Sequence, residues 1–184
     1  MGSEMCIRDR YDVIASTGAL WVCLCLDDHR LGPMSTYVLS LVPDLFEAFQ
    51  LRDNEELSET AHDVLVQVAS HPFSVAQVPV LLEALLDILR RSESWHSRLD
   101  ALPLLQIVYF QNLYLLSHDM KRCILDVLCS LLHDPHVEVR DMAATTLAGI
   151  VRCSQRAYIT ELSQTFADMA AVPIPRRGSP GYEA

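Results

Sequence analysis

The chain has 184 residues, enough for one domain or a slice of something larger, and 51% of them are apolar, so a core can be buried. Fourteen basic against 24 acidic side chains give a formal charge of −10, which excludes a general DNA- or RNA-binding face. No apolar run reaches the ~18 residues of a membrane span, and no membrane partner is expected.

The first ten residues, MGSEMCIRDR, carry no apolar stretch of signal-peptide length. They back-translate, from a GTG start, into the adapter and transposase end of common sequencing libraries. Residues 1–10 are therefore expected to be an artefact, with the native chain starting near Tyr11 and Cys6 not native. The sequence is then a fragment whose ends carry no meaning. The cysteines form no framework: Cys23 and Cys25 are two apart, Cys123 and Cys129 six apart, and no pair has zinc spacing. They read as small buried residues in a reducing compartment.

From there helical periodicity governs the chain, over 12–27, 35–50, 55–70, 75–91, 95–115, 118–133, 137–153 and 157–171. Leu81, Leu82, Leu85, Leu86 and Leu89 show the three- and four-residue steps, as do Ile124, Leu125, Leu128, Leu131 and Leu132. The breaks between them are short and rich in turn residues, such as SHPFS, RRSES and HDPH. No stretch alternates as a strand does. Pro43 and Pro79 fall near helix starts, whereas Pro103 lies deeper and should kink its helix.

The helices repeat in pairs. Ala61, Ala101 and Ala143 occupy the same place in the second helix of successive pairs, 40 and 42 residues apart. Arg98 and Arg140 precede the last two alanines by three residues, and Glu59 sits nearby in the first copy. This period, with a small residue where helices approach, describes a HEAT-type α-solenoid. The predicted fold is all-α: residues 11–171 form about three full pairs and a flanking helix at each end, in a right-handed superhelical slab. Arg140 or Asp141 is placed to reach a polar group of a neighbouring repeat. The competing arrangement is a bundle of three unrelated hairpins.

The stretch 172–184, AVPIPRRGSPGYEA from its preceding alanine, loses all period and reads as a flexible loop, with Ser179 beside Arg176 and Arg177 as a candidate phosphosite. No catalytic motif is present. His133 and His136 flank a turn without a third ligand, and Glu55-Glu56 sits at a helix start, where carboxylates favour the dipole. Tyr109, Phe110 and Tyr114 cluster with Gln106, Gln111 and Asn112, either as stacked core or as a pocket for a peptide or modified residue. The chain is not expected to be an enzyme, and no metal or cofactor is implied.

Two stretches go beyond a generic repeat: SESWHSRLDALPLLQIVYFQNLYLL (92–116) and LLHDPHVEVRDMAATTLAGIVRC (131–153). Through Trp95, His96, Arg98 and Gln106, and through Glu138, Val139, Arg140, Met142, Ala143, Ala144, Thr145, Thr146 and Leu147, the chain resembles the C-terminal region of the large HEAT-repeat proteasome activators. The resemblance implies a dome that caps the α-ring of the proteasome core particle. Such a dome opens the gate and stimulates hydrolysis without ATP, ubiquitin or catalytic residues of its own. It implies acetylated histones as a further partner, a link to DNA repair, and a place in nucleus and cytoplasm. Family docking uses a C-terminal hydrophobic-Tyr-x tail, whereas this sequence ends Gly181-Tyr182-Glu183-Ala184, so truncation is expected. The family's acetyl-lysine region needs an asparagine near the end of helix 137–153, where Cys153-Ser154-Gln155 stand instead. Asn112 is no obvious substitute, and that pocket stays unassigned. The alternative is a HEAT or armadillo interaction scaffold of another kind; an importin-like one would repeat its tryptophans, and only Trp21 and Trp95 occur.

Overall fold

The computed structural model describes Gly18 and residues 35–50, 55–153 and 156–171. The expectations for residues 1–10, for helix 12–27 apart from Gly18, and for 172–184 with Ser179 lie outside the described residues. The described residues are helical with short turns and contain no strand. They divide into two compact units, one ending at Leu147 and one starting at Ala148.

The first pair differs from its prediction. Helix 35–50 is two helices, α1 (Ser35–Ser40) and α2 (Val42–Phe49). Pro43 is the cause: it has no N–H for the carbonyl four residues back, and its ring crowds that turn. The chain stays near helical geometry at Leu41 (φ −87°, ψ −7°), whose N–H reaches back to the Tyr37 and Val38 carbonyls at 3.2 and 3.1 Å. Helix α3 (Glu55–Ser70) follows, with Glu55 and Glu56 in its first turn as the dipole favours.

Helix α4 (Val78–Arg91) begins three residues later than its period suggested. Residues 75–77 form a turn that the Gln77 side chain locks, taking the Ser74 N–H at 3.1 Å and the Ser74 hydroxyl at 2.8 Å. Pro79 then falls in the first turn of α4, where a missing N–H costs nothing. Helix α5 (Trp95–Gln111) starts at Ser94, whose hydroxyl accepts the Ser97 N–H, and runs continuously through Pro103. It ends four residues earlier than expected because Asn112 closes its last turn, its side-chain amide donating to the Val108 carbonyl at 2.9 Å.

Helix α6 (His118–Leu131) is capped by Ser117, whose hydroxyl accepts the Met120 N–H at 3.2 Å, and helix α7 (Val137–Arg152) follows the Asp134-Pro135 turn. Ser117→Ala is expected to cost about 1 kcal/mol in urea unfolding, the ordinary worth of such a cap. An unchanged midpoint would show that water replaces the hydroxyl. In the second unit, helix α8 (Arg156–Ala171) buries Leu162 and leaves Ile159 and Phe166 partly exposed.

Within the first unit the packing is that of stacked pairs. Helix α2 lies on α3 and α4 lies on α5, joining each pair. Across pairs, α2 meets α4, α4 meets α6, and α3 meets α5, so first helices form one layer and second helices another. The leucine ladder of α4 (Leu81, Leu82, Leu85, Leu86, Leu89) and the row Ile124, Leu125 and Leu128 on α6 are buried. Ala61, Ala101 and Ala143 are each 0% exposed, as the repeat register requires of a residue where helices approach closely.

Candidate functional site

The polar residues that hold this stack together collect at the turns within the pairs. Arg98 and Arg140 stand at equivalent places on α5 and α7, one turn into each helix. Each sends Nη1 to the carbonyl six residues earlier: Arg98 to Ser92 at 2.6 Å, Arg140 to Asp134 at 2.7 Å. A guanidinium thereby satisfies a carbonyl of the turn left without a helical partner. The equivalent place in the first pair is Ser58, not Glu59; the Ser58 hydroxyl donates to the Phe49 carbonyl at 2.7 Å, and Glu59 is exposed.

The crossing between repeats is made by the other edge of Arg98. Its Nε donates to Oδ2 of Asp134 at 2.8 Å, with the two side chains only 12% and 5% exposed. The second carboxylate oxygen accepts the His136 backbone N–H at 2.9 Å and faces Nδ1 of the same residue at 3.2 Å. Among the described residues the crossing expected of Arg140 or Asp141 is made by Arg98. Arg140 is drawn into its own turn, adding the Pro135 carbonyl at 2.9 Å, and Asp141 is exposed. Asp134, which the sequence shows only as part of a turn, is the residue that joins the two repeats. The signal was there: Gln50, Ser92 and Asp134 are 42 residues apart and occupy one turn position. Gln50 makes the corresponding link in the pair before, accepting from the Ser94 hydroxyl at 3.2 Å and donating to Asp100 at 3.3 Å.

Two carboxyl groups in these links are tuned in opposite senses. Burial alone would push Asp134 up. The hydrogen bonds from Arg98 and from the backbone and ring of His136, with the Arg98 charge, outweigh it and hold the carboxyl below its usual range. Burial pushes Asp100 up, and the Gln50 amide and the nearby His96 and His62 only partly oppose it. Stability contributed by Asp134 is present above its unfolded pKa of ~3.9 and is lost as pH falls through its folded value. Asp100 acts with the reverse sign, since its charged form is disfavoured in the folded chain. Unfolding free energy is therefore expected to drop on acidification below about pH 4. Asp134→Asn should flatten that drop, and Asp100→Asn, which removes a contribution of opposite sign, should steepen it. Urea titrations from pH 3 to 7 check both, and an Asp134→Asn curve parallel to the parent would overturn the assignment.

The motif residues from the sequence fall into two groups. Trp95 opens α5, stacks on His96 with ring centroids 3.7 Å apart, and stacks on His136 across the turn at 5.1 Å and 11°. Trp95, His96, Arg98 and His136 thus form one cluster with Asp134, while Gln106 lies half-buried two turns further along α5. On α7, Val139, Ala143, Thr146 and Leu147 are buried, Arg140 and Met142 half-buried, and Glu138, Ala144 and Thr145 exposed. The motif residues thus span one helix's inner and outer faces.

The aromatic cluster separates. Tyr109 is buried with Phe110 packed edge-on at 5.4 Å, whereas Tyr114 is 98% exposed because α5 ends at Gln111 and releases it. Asn112 is buried and turned toward its own helix, which makes it a cap. Cys129 is pushed up by burial and by Asp126, the wrong direction for a nucleophile. Among the described residues, no group of three His, Cys, Asp or Glu side chains is placed to hold a metal, and no helix is long and apolar enough to cross a membrane.

Paired helices in two layers, a buried alanine register and arginine-held turns define a HEAT-type α-solenoid segment. The HEAT repeat family model matches residues 124–154, from within α6 to just past α7. The relatives narrow this further. The chain is 33% identical over 145 residues to proteasome activator complex subunit 4A of Danio rerio, covering 76% of this chain and 8% of that protein. It is 31% identical over 150 residues to proteasome activator complex subunit 4 of Homo sapiens, covering 77% and 8%, and 30% identical over 154 residues to that of Bos taurus, covering 78% and 8%. The chain belongs to this family of HEAT-repeat proteins and spans about 8% of the length of the curated relatives it matches.

Proposed function

We propose that this chain is a wall segment of an ATP- and ubiquitin-independent proteasome activator that caps the α-ring of the core particle and opens its gate. The observation that carries the reading is the match to proteins named as proteasome activator subunits over three quarters of the chain. The role of the segment itself is structural. The Arg98–Asp134 tie and the two helix layers hold successive repeats in register, which is what a dome of stacked pairs demands of each part. The core particle is the principal partner, with acetylated histones a second one, and the protein works in nucleus and cytoplasm.

The test is made on the longer protein that contains this chain. That protein, purified and mixed with purified core particle, is expected to raise hydrolysis of a fluorogenic peptide several-fold without nucleotide and to co-sediment with the particle. Absence of both effects would favour an interaction scaffold of another HEAT or armadillo family.

A further inference from the structure

The first layer of helices carries an open groove between α2 and α4, closed at one end by the turn into α5. Its volume of about 1180 Å³ exceeds the ~300–1,000 Å³ usual for small-molecule sites and its open form suits an extended chain. The composition is ordered in rows. On α4, Val80, Ala84 and Ile88 make an apolar row, and Glu83 and Asp87 an acidic row beside it. On α2, Pro43 and Phe46 face them with Glu47 at the edge, and Glu93 stands at the closed end. Val80 is 52% exposed, a large apolar side chain left to water on an otherwise well-packed helix.

Charge identifies the occupant. Four carboxylates line the groove against one guanidinium, that of Arg91, which already pairs with Asp87 at 3.2 Å. Arg90 approaches Glu83 from outside the lining at 3.7 Å. Among the described residues no cation pairs with Glu47 or Glu93. An acidic rim over an apolar floor attracts a segment with the opposite pattern. We propose that this groove is a docking site for a basic peptide segment of a partner protein, one that seats apolar side chains against Val80, Ala84 and Ile88 and sets arginines or lysines toward Glu47 and Glu93. The rim provides steering and register and the apolar row provides residence. The inference does not depend on proteasome activation.

The experiment is fluorescence anisotropy on the full 184-residue chain with three labelled nine-residue peptides. One is built of leucine, proline and arginine; the second has its leucines replaced by serine; the third has its arginines replaced by glutamate. The first is expected to bind with a Kd of roughly 10–100 µM at low salt and to weaken about tenfold when ionic strength rises from ~0.05 to ~0.3 M. The second should bind at least several-fold more weakly and the third not measurably. Glu47→Lys with Glu93→Lys should abolish the preference for arginine over glutamate, and Val80→Ser should weaken the first peptide alone. All three positions are exposed, so a circular dichroism melt matching the parent is expected and separates loss of binding from loss of fold. Equal binding of the basic and acidic peptides, no binding of any of them, or binding of the first that both sets of variants leave unchanged would each overturn the proposal.

Discussion

Asp134→Ala is expected to remove about 3–5 kcal/mol of stability, far more than an exposed ion pair carries. The carboxylate is almost wholly enclosed and accepts from three donors, so its removal strands the Arg98 guanidinium in a site 12% exposed. The pair itself is not a large net source of stability, because burying two charges offsets most of their attraction. The cost lies in leaving one behind. Arg98 keeps the Ser92 carbonyl, which bounds the loss, and the His136 N–H loses its cap at the start of the next helix. Urea unfolding followed by circular dichroism should show the midpoint fall with little change in slope. The double change Arg98→Met with Asp134→Leu should recover most of the loss, since it removes both charges together. A loss below about 1 kcal/mol for Asp134→Ala would place the pair in effective contact with water and make it an ordinary surface bridge.

What the sequence revealed and what it hid follow from the range of each interaction. The existence and type of the helices from Ser35 on were legible because burial imposes a 3.6-residue period, seen in Leu81, Leu85 and Leu89. The alanine register was legible for the same reason: only a small side chain fits where helices approach. The breaks were less so. Leu41 continues the apolar pattern of its neighbours, and only the local effect of Pro43 splits the helix. Asn112 looks like a helix residue until its amide turns back on Val108. The crossing contact was hidden because it joins residues 36 apart. The groove between α2 and α4 was hidden for a related reason. Its acidic and apolar rows lie on helices that sequence assigns to different repeats, and each row alone reads as a solvated face.

The alanine register makes the sharpest single test of the α7 face. Ala143 is 0% exposed, and Ala144, the next residue, is exposed. Aspartate at each position suffers the same loss of helix propensity, about 0.5–0.7 kcal/mol relative to alanine. Beyond that the two differ in kind. At Ala144 the carboxylate enters water. At Ala143 it must either stay charged without a partner or take up a proton, while three added heavy atoms force the packed neighbours apart. Ala143→Asp is therefore expected to cost about 3–5 kcal/mol. For a chain of this size that lowers Tm by roughly 10 °C, against about 2 °C or less for Ala144→Asp. The Ala143→Asp penalty should shrink on acidification, because the protonated acid is less costly to bury, and this is opposite in sign to the acid loss expected from Asp134. Thermal melts of the two variants at pH 7 and pH 4.5 measure both effects. A lower melting temperature for Ala144→Asp than for Ala143→Asp at neutral pH would mean that the repeat register is displaced by one residue, and the placement of Val139 and Leu147 on the buried face would fall with it.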